Sequence, residues 1–184
     1  LLRPPTVDHA LALADSLGFK NSCLDEVGEL LFMLVGHMRT GRLAEIGTGC
    51  GVGTAWIASG NTLDIYTIDN DHDRVTGTKE LFSDMSNVHP MYGNWDQILK
   101  EGPFQLIFVD AKPAKLEGID KVVNATAIGG LIVIDDLTPM EFWTDEWKGK
   151  PDPVRDVWLH HTQLVSVEIR TSLKAAAILA RRVS

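Results

Sequence analysis

Leu43-Ala44-Glu45-Ile46-Gly47-Thr48-Gly49-Cys50-Gly51-Val52-Gly53-Thr54 joins an apolar, strand-like run to four glycines on alternate positions. An acid, Glu45, stands two residues before the first glycine, and Thr54-Ala55-Trp56-Ile57-Ala58 continues in helical character. A strand, a glycine turn and a helix in that order bring backbone N–H groups and a helix N-terminus against a ligand, with no Cβ in the way. The next apolar run, Leu63-Asp64-Ile65-Tyr66-Thr67-Ile68-Asp69, also ends on an acid. In doubly wound sheets a carboxylate at that place holds the ribose hydroxyls of an adenosine cofactor.

The spacing narrows the ligand. The dinucleotide fingerprint G-x-G-x-x-G needs a third glycine three residues after the second. Counting from Gly47 that position is Val52, and counting from Gly49 it is Thr54, so the pattern fails. What stands here is E-x-G-x-G-x-G, which resembles motif I of the class I S-adenosylmethionine (SAM) methyltransferases. SAM is cationic at sulfur and has no pyrophosphate, so an acid beside its loop attracts it.

Outward from this stretch the chain alternates between strands and helices. Helices are expected over 6–18 and 22–39, the second capped by Asn21-Ser22 with Asp25 and Glu26 in its first turn. Strands follow at 42–47, 63–69, 88–92, 104–110 and 131–135, and helices at 53–59, 71–86 and 116–128, with a brief turn of helix ending near Lys100. The runs at 42–47, 104–110 and 131–135 are nearly all apolar, as strands buried on both faces should be. Two further strands, 164–170 and 173–180, are separated by Thr171-Ser172 and read as an antiparallel hairpin. The fold class is therefore α/β: a Rossmann-like doubly wound sheet, mostly parallel, with a C-terminal antiparallel hairpin. The expected organisation is one domain over 1–184, with N-terminal helices over 1–40. Residues 137–162, carrying Trp143, Trp147, Pro151, Pro153 and Trp158, read as an irregular insertion on the substrate side.

Composition limits the partners. A chain of 184 residues with 45% hydrophobic and 23% charged residues suits one domain with a full core. A formal net charge of −8 argues against nucleic acid, which needs a basic patch. The Arg181-Arg182 pair reads as a solvated terminus. No apolar run has the length of a membrane span. Cys23 and Cys50 make no disulfide framework, and with no visible signal peptide a reducing cytoplasm is the expected compartment. The six histidines show no metal-ligand spacing.

Acids end four of the expected strands: Glu45, Asp69, Asp110 and the pair Asp135-Asp136. Strand ends share one rim, and acids converging there repel unless cations offset them. Around two of these acids the chain resembles a narrower branch. Phe104-Gln105-Leu106-Ile107-Phe108-Val109-Asp110-Ala111-Lys112 is similar to F-D-L-I-F-I-D-A-D-K of the small O-methyltransferases of the catechol and caffeoyl-CoA type. Gly129-Gly130-Leu131-Ile132-Val133-Ile134-Asp135-Asp136 is similar to their G-G-L-I-V-x-D-N, and the closing stretch 165–182 to their terminal hairpin.

That resemblance implies the SAM methyltransferase fold and methyl transfer from SAM to a hydroxyl oxygen of a small, conceivably aromatic, acceptor. By it, Glu45, Gly47, Thr48, Gly49, Gly51 and Gly53 form the loop at the methionine side. Asp69 takes the ribose with Asn70 beside it, Asn94, Trp95 and Asp96 flank the adenine, and Asp110 borders the cofactor. It further implies a divalent cation, Mg²⁺ in the first instance, held by Asp110, Asp135 and Asp136. Asp110 and Lys112 are the expected catalytic residues, with Lys115 nearby. Two positions depart from the pattern: Asp136 replaces an Asn, and Pro113 stands where the branch has a Lys. Trp95 reads equally as an adenine platform or a core aromatic. A homodimer is compatible with the resemblance, though no patch in the sequence marks one. Two other readings stay open: a metal-free N-methyltransferase, and a SAM-binding module with a regulatory role.

Overall fold

The computed structural model describes residues 3–184. Helices α1 (Pro5–Ser16) and α2 (Asp25–Val35) precede strand β1 (Arg42–Ile46), helix α3 (Val52–Gly60), strand β2 (Asp64–Asp69), helix α4 (His72–Leu81) and strand β3 (Val88–Tyr92). A 3-10 segment, Trp95–Glu101, leads into strand β4 (Phe104–Val109). Helices α5 (Lys112–Glu117) and α6 (Ile119–Ala125), strand β5 (Thr126–Leu137), helix α7 (Pro153–His160) and strands β6 (Leu164–Arg170) and β7 (Ala176–Arg182) complete the order. The seven strands form one sheet in the order β3-β2-β1-β4-β5-β7-β6. The first five are parallel, and β7 runs antiparallel between β5 and β6, which is the doubly wound sheet with a terminal hairpin expected from the sequence.

Period-two alternation divides the core. Leu43, Ile65, Leu106, Phe108 and Val133 point to one face and pack with Val27, Leu31 and Trp56 of α2 and α3. Ala44, Ile46, Ile68, Ile107, Val109, Ile132 and Ile134 point to the other, against Ile98, Val122, Val123 and Trp158. Glu45 shares the parity of Leu43, so its side chain is sent beneath α3. Helix α2 lies tight on α3 at Gly28, where a Cβ would come within 2.2 Å of the Trp56 ring.

Several boundaries differ from those read off the sequence. Helix α2 starts at Asp25 behind Leu24, with no side-chain cap, so Asn21-Ser22 do not open it. Residues 19–24 instead run outside any helix, with Cys23 buried. The helix expected over 116–128 begins at Lys112, because Pro113 fits the first turn, where no intrahelical N–H bond is lost. It breaks at Gly118, where a Cβ would lie 2.4 Å from the Trp95 ring. The insertion 137–162 is not irregular throughout. Asp152 accepts from the N–H groups of Val154 and Arg155, Pro153 takes the first position, and α7 follows. The hairpin turn spans residues 171–175, longer than the two residues expected.

Candidate functional site

The strand order reverses its direction of growth at β1 and β4, and the crevice at their carboxyl ends is where ligands bind in such sheets. Gly47 opens that crevice with φ of 100°, and a Cβ there would sit 2.9 Å from the Asp110 carbonyl carbon. Gly49 and Gly51 also hold positive φ, of 52° and 85°. Their neighbours are the Phe19 ring and the Phe82 and Thr78 side chains. A side chain at Gly53 would strike Glu45 at 2.2 Å. The glycines therefore let the turn lie close to the protein itself, besides any ligand.

Two buried acids shape the turn. Glu45 is almost fully buried and receives the hydroxyls of Thr54 and Thr67 on Oε2, the second at 2.9 Å. Burial, set against those two hydrogen bonds, pushes its carboxyl up to about 8. It braces the loop from below. Asp69, at the end of β2, accepts from Gly49 N at 2.9 Å, from Asp71 N at 2.9 Å and from Arg74 Nη2 at 2.8 Å. The carboxylate expected to take a ribose thus has three protein partners already, and one lone-pair direction remains from the roughly four a carboxylate offers. Thr48 is buried with its hydroxyl on Thr67 at 2.6 Å.

Asn70 and Asn94 are exposed on the rim. Trp95 is half-buried, with Gly118 against one edge and Lys121 Nζ 5.5 Å from its ring centroid, while Asp96 pairs with Lys121 at 3.2 Å.

At the ends of β4 and β5, carboxylate oxygens of Asp110, Asp135 and Asp136 all come within 4.8 Å of one another. Asp136 reaches the group through a left-handed backbone, φ 61°. Between them lies a residue that the sequence did not rank first. Lys115 Nζ stands 2.8 Å from Asp136 Oδ2 and 3.3 Å from Asp110 Oδ1, with its side chain 8% exposed. Lys112, by contrast, is exposed at the first position of α5 and makes no contact with the acids among the described residues. Burial raises the Asp110 carboxyl well above the carboxylate range and carries Asp135 to about 6. Asp136 is lowered, because the nearby ammonium outweighs what burial it has.

The approach from the N-terminal side is covered by residues 19–24. Phe19 lies on Gly49, with the Arg74 guanidinium 5.0 Å from its centroid. The Cys23 thiol is pushed up, first by burial and then by the field of Asp135 and Asp110. Nothing local in the sequence marks Phe19, Cys23 or Arg74 as site residues; they arrive through long-range packing. Lys115 carried one signal, its place about a turn beyond a strand-end acid, which depends on where α5 begins.

A family model described as "Methyltransferase domain" matches residues 44–137, just over half of the chain. A curated protein of Mycobacterium ulcerans named "Putative O-methyltransferase" is 32% identical over 120 residues, 59% of this chain and 53% of that protein. The chain thus spans about half the length of that relative. The O-methyltransferase ankF of Aspergillus thermomutatus is 26% identical over 170 residues, 84% of this chain and 70% of that protein. The crystal structure of an O-methyltransferase from Bacillus cereus, in complex with SAH, matches with a TM-score of 0.82 at 16% identity, covering 99% of this chain and 93% of that one, and shares its fold.

Proposed function

The chain belongs to the methyltransferase domain family, and on that premise we propose that it transfers the methyl group of SAM to a hydroxyl oxygen of a small acceptor. The observation that carries this reading is the meeting of the glycine turn with the acidic rim, where Gly47 lies against the backbone of Asp110 at the β1/β4 switch. A zwitterion bearing a sulfonium suits a crevice lined by Asp69, Asp110 and Asp135. The turn 47–53 would back the methionine portion, and the remaining acceptor direction of Asp69, with Asn70, would take the ribose. Asn94, Trp95 and Asp96 would lie along the adenine. The same family resemblance in relatives named as O-methyltransferases supports oxygen as the acceptor atom.

In the transfer, the acceptor oxygen bonds to the methyl carbon as the carbon–sulfur bond breaks. The sulfonium becomes a thioether, and the acceptor's proton must leave. Asp110 is the group we assign to receive it, since a bound sulfonium favours its ionised form. The segment between β5 and α7, with Met140, Phe142 and Trp147 exposed, would wall the acceptor. Oxygen donors of the Asp110, Asp135 and Asp136 kind suit Mg²⁺, but the Lys115 ammonium is inserted among them, and that arrangement does not fit a divalent ion.

Calorimetry tests the reading. SAM and S-adenosylhomocysteine (SAH) should bind and NAD should not. Asp69→Ala should weaken SAH by about 1.5–3 kcal/mol, the range for hydrogen bonds to a charged group. Because the same change frees Gly49 N, Asp71 N and Arg74, its melting temperature should fall as well. NAD binding, or SAH affinity unchanged in the variant, would overturn the assignment.

A further inference from the structure

We infer that Lys115 supplies, from within the fold, the positive charge that a divalent ion would bring to the ends of β4 and β5, so that this site works without a metal. The inference rests on the methyl-transfer reading of the same crevice. It starts from position: Nζ is 2.8 Å from Asp136 and 3.3 Å from Asp110, two of the three carboxylates a metal would need. An ion entering there meets an ammonium of its own sign, and the carboxylate oxygens it requires are already engaged.

The lysine is built in, and not a surface side chain that has fallen onto the acids. Its side chain is 8% exposed. Its backbone carbonyl accepts from Trp158 Nε1 at 2.9 Å, and Trp158 is fully buried in α7. Helix α7 is in turn fixed by Arg155, whose guanidinium bonds Glu168 at 2.8 Å and the Thr138 carbonyl at 3.0 Å and also pairs with Asp152. Pro113 sets the phase of α5. It is tolerated only in the first turn, so the helix begins at Lys112, and residue 115 then falls on the side of Asp110 while residue 112 stays in solvent. The two departures from the O-methyltransferase pattern thus belong together. Pro113 removes a lysine from one place and positions another, and the extra charge at Asp136 is the one that Lys115 neutralises.

An ammonium carries three N–H donors, and Asp110 and Asp136 take two of them. The third is available to the acceptor's oxygen. Lys115 would then orient that oxygen toward the methyl group, the positioning task for which a metal is otherwise used.

The test uses the full chain and Mn²⁺ as the probe, read by the electron paramagnetic resonance signal of the free ion. The wild-type chain should leave the signal unchanged at equimolar concentrations, with or without SAH. Lys115→Met strips the cation from three carboxylates and should bind Mn²⁺ at least about tenfold more tightly than wild type. Should that variant not fold, Lys115→Gln replaces it, and the wild-type titration decides by itself. Uptake of one Mn²⁺ per wild-type chain that Asp136→Asn abolishes would overturn the inference. So would a folded Lys115 variant with no gain in Mn²⁺ affinity. SAH calorimetry on the same samples separates the two proposals: SAH binding together with wild-type Mn²⁺ uptake defeats this inference alone, whereas loss of SAH binding defeats the methyl-transfer reading.

Discussion

Beneath the glycine turn, Glu45 keeps its carboxyl away from water and receives two threonine hydroxyls on one oxygen. The desolvation it suffers exceeds what those hydrogen bonds return, so its proton is held up to about pH 8 in the fold. The sign of the consequence follows from linkage. The folded value lies above the ordinary 4.5, so the folded state binds this proton more tightly than the unfolded chain does. The stability this contributes is complete below about pH 4.5 and is lost as the pH rises through about 8. Glu45→Gln keeps the shape and an acceptor for Thr54 and Thr67 but cannot ionise. Its melting temperature should match wild type near pH 4.5 and exceed it increasingly toward and above pH 8. Parallel pH dependences in thermal melts would show that Glu45 is not strained by burial. The same reasoning explains why an acid belongs in this loop without touching the ligand: it anchors Thr54, at the start of α3, and Thr67 on β2 to one buried point.

Helix α7 and its anchor show how an element remote from the glycine turn controls the site. Arg155 is 3% exposed and ties α7 to β6 and to the end of β5 through Glu168 and Thr138. Arg155→Ala leaves Asp152 and Glu168 without their cation. Breaking a buried ion pair of this kind costs about 3 kcal/mol or more, reduced where a partner retains access to water, as Glu168 does. Hydrogen exchange should then rise across α7 and at Lys115, while β1 and β4 stay protected; uniform loss of protection would mean that α7 is not an independent unit.

This same element is the one least legible in the sequence. Strands β1, β2, β4 and the following glycine turn were readable because long apolar runs and alternate glycines leave few other conformations. Pro153 looked like a breaker, although first-position proline behind an aspartate is a start signal. The path of residues 19–24 over the rim had no local signature, so Phe19 and Cys23 went unnoticed. The strand-end acids were found from the residues alone, but which lysine joins them turned on a helix boundary four residues earlier than expected. Nor could spacing reveal that Asp69 would be shared with Arg74 and the loop backbone.

Across the whole molecule, the charge is −8, and acids concentrate at one end of the sheet. The cations set among them, Arg74 and Lys115, are each paired with an acid of that rim. The free rim therefore holds protons that it would release to a cation: Asp135 sits at about 6 and Asp110 is raised by its burial. SAM and SAH differ there by one positive charge at sulfur. A positive charge near a carboxyl favours its ionised form, so SAM binding should release protons that SAH binding does not, and the affinity of SAM relative to SAH should rise with pH. A shift of one unit in Asp135 corresponds to a change of about tenfold in that ratio, gained between about pH 5 and pH 8. Calorimetry of both ligands in buffers of different ionisation enthalpy measures the released protons directly. Raising the salt concentration should lower the SAM affinity more than that of SAH, because only SAM carries the charge that the rim attracts. A ratio independent of pH and of salt would place the sulfur away from Asp110 and Asp135, and with it the assignment of Asp110 as proton acceptor would fall.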